Sequence, residues 1–182
     1  TWSFVDTRDL EDGQQVTYSA IVSDATGTSG PSTPSVSITI DTSAQATAVA
    51  ITGVVDDVGS IRGTVPAGCT TDDTRVSVVG QLGGATEGAS LEAGATLRVF
   101  SGGEYLGNAT VAVVAGGQST WSFNDTRRLL SEGPVSYEAA IEDAIGNLGT
   151  TATFEFTIDR TAPIAPVLAV SAAAAQGATA AE

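Results

Sequence analysis

The chain has 182 residues, with 21 Asp and Glu against 7 basic side chains, all of them Arg, and a formal net charge of −14. It contains no His and one cysteine, Cys69. Imidazole-dependent nucleophiles are therefore absent, as are an intramolecular disulfide and the several Cys or His ligands of an ordinary zinc site. So acidic a surface repels nucleic acid and anionic lipid and attracts cations, and no apolar run approaches the roughly 18 residues of a membrane span. A carboxylate pair still permits glycosidase-type chemistry. No such pair stands out on strand ends beside an apolar pocket, so no enzyme activity is expected.

Thr1-Trp2-Ser3-Phe4-Val5-Asp6-Thr7-Arg8 opens the chain and returns as Thr120-Trp121-Ser122-Phe123-Asn124-Asp125-Thr126-Arg127. The register continues: Val16 and Tyr18 answer Val135 and Tyr137, and Asp24-Ala25-x-Gly27 answers Asp143-Ala144-x-Gly146. After a one-residue deletion, Thr39-Ile40-Asp41 answers Thr157-Ile158-Asp159. A step of 119 residues, from Thr1 to Thr120, is too long for a solenoid and suits one sandwich domain with its linker. Residues 1–42 then form the last third of one repeat, 43–160 a complete repeat, and 161–182 a linker and the start of a third. The chain reads as an excerpt from something longer.

Within the complete repeat, apolar residues alternate with period two, the mark of strands with one buried face. Strands are expected near 49–55, 76–82, 95–101, 104–107, 109–115, 120–125, 134–142 and 151–158. Gly and Asx turn signals such as Ser101-Gly102-Gly103 and Ala115-Gly116-Gly117 separate them. Residues 1–42 supply three strands, too few to close a core alone. The fold class is all-β: immunoglobulin-like β-sandwich repeats in tandem. Trp121, Phe123 and Tyr137 are read as core residues. Tyr18 and Tyr137 fall where the tyrosine corner of such sandwiches lies, with the hydroxyl expected to bond back to backbone.

Taken together, Ile51-Thr52-Gly53-Val54-Val55-Asp56-Asp57-Val58-Gly59-Ser60-Ile61-Arg62-Gly63, Thr71-Asp72-Asp73-Thr74, Thr120-Trp121-Ser122-Phe123, Asp143-Ala144-Ile145-Gly146-Asn147 and Asp159-Arg160-Thr161-Ala162-Pro163 resemble the bacterial immunoglobulin-like repeats of giant adhesins. Such repeats occur in type I-secreted biofilm and RTX-type adhesins. The resemblance spans nearly the whole chain. It implies an extracellular extender on a bacterial cell surface, packed against neighbouring repeats, without membrane insertion, and often stiffened by calcium at the junctions. The sequence departs from that pattern at Cys69, in the insert 83–90, and at Ser43, where the second junction has Thr161-Ala162-Pro163. Ser43 leaves the first linker less stiff by this reading.

Two acidic pairs mark the first connection of the complete repeat, Asp56-Asp57 and Asp72-Asp73. Adjacent carboxylates repel unless screened or bridged, and calcium takes six to eight oxygen ligands in flexible geometry. Sandwich topology brings Asp56, Asp57, Asp72, Asp73 and Asp159 to the exit end. Asp143 and Asp41 meet at the opposite end, although Asp143, like Asp24, is also ordinary turn chemistry. Two other functions compete with the extender. One is a ligand- or carbohydrate-binding module, using the 83–90 insert or the exposed Tyr105; the other is an accessory domain of a secreted polysaccharide hydrolase. The sequons at Asn108 and Asn124 are read as chance, Cys69 as a small loop residue, and the Ala172–Ala175 tail as a frayed end.

Overall fold

A computed structural model describes residues 1–60, 62–129 and 131–168, and the alanine-rich tail lies outside them. The described residues are all-β, with no helix. A two-stranded antiparallel sheet joins β1 (Gln15–Tyr18) to β2 (Val36–Thr39). Ten more strands follow: β3 (Val49–Asp56), β4 (Gly63–Val65), β5 (Thr70–Thr71), β6 (Ser77–Leu82) and β7 (Thr96–Ser101), then β8 (Glu104–Asn108), β9 (Thr110–Ala112), β10 (Ser119–Asn124), β11 (Gly133–Glu142) and β12 (Ala152–Ile158). They form two five-stranded sheets, ordered β4-β3-β6-β10-β9 and β5-β12-β11-β7-β8.

Alternation explains how the sheets meet. On β11, Tyr137, Ala139 and Ile141 turn inward, as do Phe154, Phe156 and Ile158 on β12. From the other sheet Val54, Val78, Leu82 and Trp121 join the same buried cluster. The result is a β-sandwich-like arrangement with one core. Val76, just before β6, is also fully buried in that core.

Trp121 decides a neighbouring residue. Its indole lies across Gly80 on the adjacent strand, and its Nε1–H is shared between the carbonyls of Ala50 and Gln81, both at 3.2 Å. A Cβ at position 80 would overlap the Ala50 oxygen and the indole ring, so only glycine fits. The ring occupies the volume a side chain at 80 would need.

Three sequence expectations are corrected. The first connection is not a plain loop: it contains β4, antiparallel to β3, and β5, parallel to β12. These strands have three and two residues, too short for a periodic signal, and exist through their pairing partners. Of the three strands expected in residues 1–42 two form, β1 and β2; Thr1–Phe4, the counterpart in sequence of β10, stays outside any sheet, since the two strands that flank β10 have no equivalents beside it. The strand expected over 109–115 ends at Ala112. There the chain turns early, Gly117 N–H donating to the Val114 carbonyl at 3.2 Å and Val114 N–H to Ser119 Oγ at 3.3 Å.

Candidate functional site

At the exit end, the loop after β3 is organised by its own carboxylates. Asp56 is 6 % exposed, and its Oδ2 accepts from Thr71 Oγ1 at 2.5 Å while Oδ1 accepts from the Val58 N–H at 3.0 Å. Asp73, 2 % exposed, accepts from the Arg75 N–H at 2.7 Å and the Asp57 N–H at 3.4 Å. Its own N–H donates to Thr71 Oγ1 at 3.1 Å. Buried carboxylates are costly unless compensated, and here N–H and O–H groups compensate them. Asp56 and Asp73 turn inward as loop caps.

Asp56, Asp72 and Asp159 nevertheless line one cavity of about 260 Å³ with Ser60, Thr70, Thr71 and Thr161. The wall is oxygen-rich, the donor chemistry of a hard cation. Asp57 and Asp73 do not line it. Among the described residues no three acidic side chains come close enough to hold a metal by themselves.

At the opposite end, Asp143 Oδ1 accepts three backbone N–H groups, from Ile145, Gly146 and Asn147, at 2.8–2.9 Å. Partial burial pushes its carboxyl up, but the donors, Asn147 foremost, outweigh it and hold it below the usual carboxylate range. Asp24 makes the same turn, accepting from Thr26 N–H and Thr28 N–H at 2.9 Å. Asn147 links Asp143 to Asp41: its Nδ2 donates to Asp143 Oδ2 at 2.8 Å, the Asp41 carbonyl at 3.3 Å and Asp41 Oδ1 at 3.5 Å. Gln45 adds a second tie, accepting from the Glu92 N–H and donating to the Ser90 carbonyl, both at 2.8 Å. An amide N–H stands where the two carboxylates meet.

Sequence reading missed Asp12 and Glu132. Asp12 accepts from the Thr42 N–H at 2.7 Å and Ser43 Oγ at 3.0 Å. Glu132 accepts from the Arg160 N–H at 3.2 Å and Thr161 Oγ1 at 3.0 Å. The exit segment is thus clamped twice in the same way, and Ser43 makes the bond that Thr161 makes. The available signal was an acid–glycine pair, Asp12-Gly13 and Glu132-Gly133, shortly before each Val-x-Tyr strand.

A second repeated arrangement lies inside the fold. Tyr137 Oη donates to Asp125 Oδ2 at 2.5 Å, and Arg127 donates to the same carboxylate through Nε and Nη2, the latter at 2.8 Å. Tyr18, Asp6 and Arg8 form the same triad, with Tyr18 Oη 2.5 Å from Asp6 Oδ2. The tyrosine hydroxyl therefore bonds to a carboxylate twelve residues upstream, correcting the expected bond to backbone. Burial pushes the Asp125 carboxyl up, yet the Arg127 and Tyr137 bonds prevail and hold it low. Burial and then Asp125 push the Tyr137 phenol well up, so it stays a donor.

Tyr105, the candidate sugar platform, is 44 % exposed, but the Arg98 guanidinium sits 4.1 Å from its ring centroid. Arg98 is also paired with Glu142 across β7 and β11. One ring face is consequently taken. Cys69 is exposed in the turn between β4 and β5, and the 83–90 insert forms turns between β6 and β7. No helix among the described residues is long and apolar enough to cross a membrane. No family model, curated protein or solved structure matches the chain.

Proposed function

We propose that the chain is a structural extender: tandem immunoglobulin-like sandwiches of a bacterial surface adhesin, non-catalytic and extracellular, holding a distal binding region away from the cell. The observation that carries this reading is the recurrence, 119 residues apart, of one Asp–Arg–Tyr triad under two opposite degrees of cover. In the complete unit the inward side chains are sealed: Trp121 is 3 % exposed, Phe154 4 % and Phe156 1 %. Their counterparts in residues 1–42 are bare, with Trp2 74 % exposed, Val36 61 % and Ile38 45 %. Residues 1–42 have the side chains of a sandwich half and lack the other half. The parallel pairing of β5 with the last strand, β12, also fits an immunoglobulin-like strand order.

The test is to join the 119-residue unit, 43–161, in series. Particle length from small-angle scattering should rise in proportion to unit number. Pulling one such chain should give equal steps, each adding roughly 400 Å of contour less the folded length of a unit. A globular, non-lengthening particle would refute the extender.

Calcium belongs to the same reading, at the exit cavity. Asp56, Asp72 and Asp159 would hold it, with the remaining oxygens supplied by the following unit, and it would join the two by shared coordination. In the joined units, millimolar calcium should raise the melting temperature, by the equivalent of roughly 2.7 kcal/mol at a hundredfold excess over Kd. Asp72→Asn with Asp159→Asn should remove that rise. An unchanged melting curve in calcium would leave the exit acids as solvated turn residues.

A further inference from the structure

The segment 41–48, which joins the first 40 residues to the sandwich, is held from both sides. From the first segment, Asp12 accepts from the Thr42 N–H at 2.7 Å and Ser43 Oγ at 3.0 Å, and the Gly13 N–H donates to the Ile40 carbonyl at 2.8 Å. From the sandwich, Asn147 Nδ2 donates to the Asp41 carbonyl at 3.3 Å, and Gly149 lies beside the Ala44 methyl group and the Gln45 carbonyl. Both ends of the Gln45 amide are used: Oε1 accepts from the Glu92 N–H and Nε2 donates to the Ser90 carbonyl, each at 2.8 Å. Nε2 also donates to Thr47 Oγ1 at 2.6 Å, and the Ala48 carbonyl accepts from the Gly83 N–H at 2.8 Å.

We infer that the 90–92 and 143–149 loops form a receptor for this linker, and that the two grips together fix the angle between the first segment and the sandwich without a bound cation. A hinge needs residues that neither body holds, because those residues absorb the φ/ψ change. The two grips leave no such stretch. Asp41 and Gln45, held by the sandwich, bracket Thr42 and Ser43, held by the first segment.

Charge explains the choice of amides. This end of the sandwich gathers Asp41, Glu92 and Asp143, and Asn147 Nδ2 bridges Asp143 Oδ2 and Asp41 Oδ1 at 2.8 and 3.5 Å. A carboxylate at 45 or 147 would accept where a donor is needed and would repel its neighbours. The second junction has Pro163 where the first has Gln45, and a proline ring fixes φ covalently. The first linker, read from sequence as the less stiff, gains through Gln45 the constraint it lacks in proline. Thr28 occupies in the first segment the position of Asn147, so the amide grip belongs to the complete unit. It is a property of this one junction and does not rest on the extender reading.

The test places spin labels on Cys69, exposed in the β4–β5 turn, and on Ser35→Cys, an exposed position of the first segment, in the 182-residue chain. Electron double-resonance in EDTA should give one narrow distance distribution, unchanged by millimolar calcium. Gln45→Ala with Asn147→Ala should broaden it by on the order of 10 Å, since a freed linker of about six residues reaches roughly 13 Å. Gln45→Ala by itself, outside the sandwich strands, should give part of that broadening. Asn147→Asp should also broaden it, most at low salt, because an acceptor then stands between two carboxylates. Gln118→Ala removes an amide bond to the Leu82 carbonyl within the sandwich and should leave the distribution narrow. The inference is overturned if the native distribution is broad in EDTA, if it narrows only with calcium, or if the Gln45 and Asn147 variants stay as narrow as native. Equal broadening by Gln118→Ala would overturn it as well, since a loosened sandwich would then be the cause.

Discussion

Trp121→Ala is expected to cost about 3–5 kcal/mol of folding stability, the usual range for deleting a buried large aromatic. The indole is 3 % exposed, bridges two strands through its shared Nε1–H, and fills the space above Gly80. Since a whole domain is stable by only about 5–15 kcal/mol, the variant should sit close to unfolding at room temperature. Gly80→Ala should move in the same direction, because its methyl group requires the volume the indole holds. Trp2→Ala, at a 74 % exposed position, should leave the main transition where it was. Denaturant unfolding followed by far-ultraviolet circular dichroism reads all three. A Trp121→Ala midpoint within experimental error of the native one would show that the core does not depend on this contact.

Asp125→Ala is the second large effect, about 2–4 kcal/mol, because it strands the fully buried Tyr137 hydroxyl without its acceptor and removes the Arg127 partner. Restoring an apolar match with Tyr137→Phe should recover part of the loss, a coupling that a double-mutant cycle measures. The pH dependence follows in sign from the lowered Asp125 pKa. A carboxyl held lower in the folded state than in the unfolded chain stabilises above the ordinary carboxylate range and loses that contribution as pH falls through it and below. The acid limb of the stability curve should therefore flatten in Asp125→Ala. Asp6→Ala removes the matching carboxylate in the exposed segment and should not shift the main transition. Equal effects from Asp6→Ala and Asp125→Ala would contradict the difference in cover.

The exit cavity shows why carboxylate clusters are harder to read than strands. Asp56 and Asp73 look alike in sequence to Asp57 and Asp72, each being one half of an Asp-Asp pair. Backbone alternation sends Asp56 inward at the end of β3, where Thr71 on β5 meets it. Asp72 instead lines the cavity with Asp159. Nothing local distinguishes the two fates, because they depend on β5, whose two residues pair with β12 from more than eighty positions away. Asn147 was visible only as part of a turn motif. Its reach to Asp41 spans 106 residues and depends on how the linker lies against the loops.

By itself the sequence determined the all-β class, the 119-residue recurrence, and eight of the ten strands of the 43–160 segment, seven of them to within a residue at each end and β9 at more than twice its length. These follow from period-two alternation and from glycine and Asx turns, which act over fewer than ten residues at a time. It also placed Trp121 and Tyr137 in the core, since an alternating run exposes only one face to water. The tertiary structure alone decided where the Tyr137 hydroxyl finds its acceptor, and which acids cap loops and which face the cavity. Those outcomes depend on register between distant strands, and a shift of one residue would have sent each of these side chains to the other face.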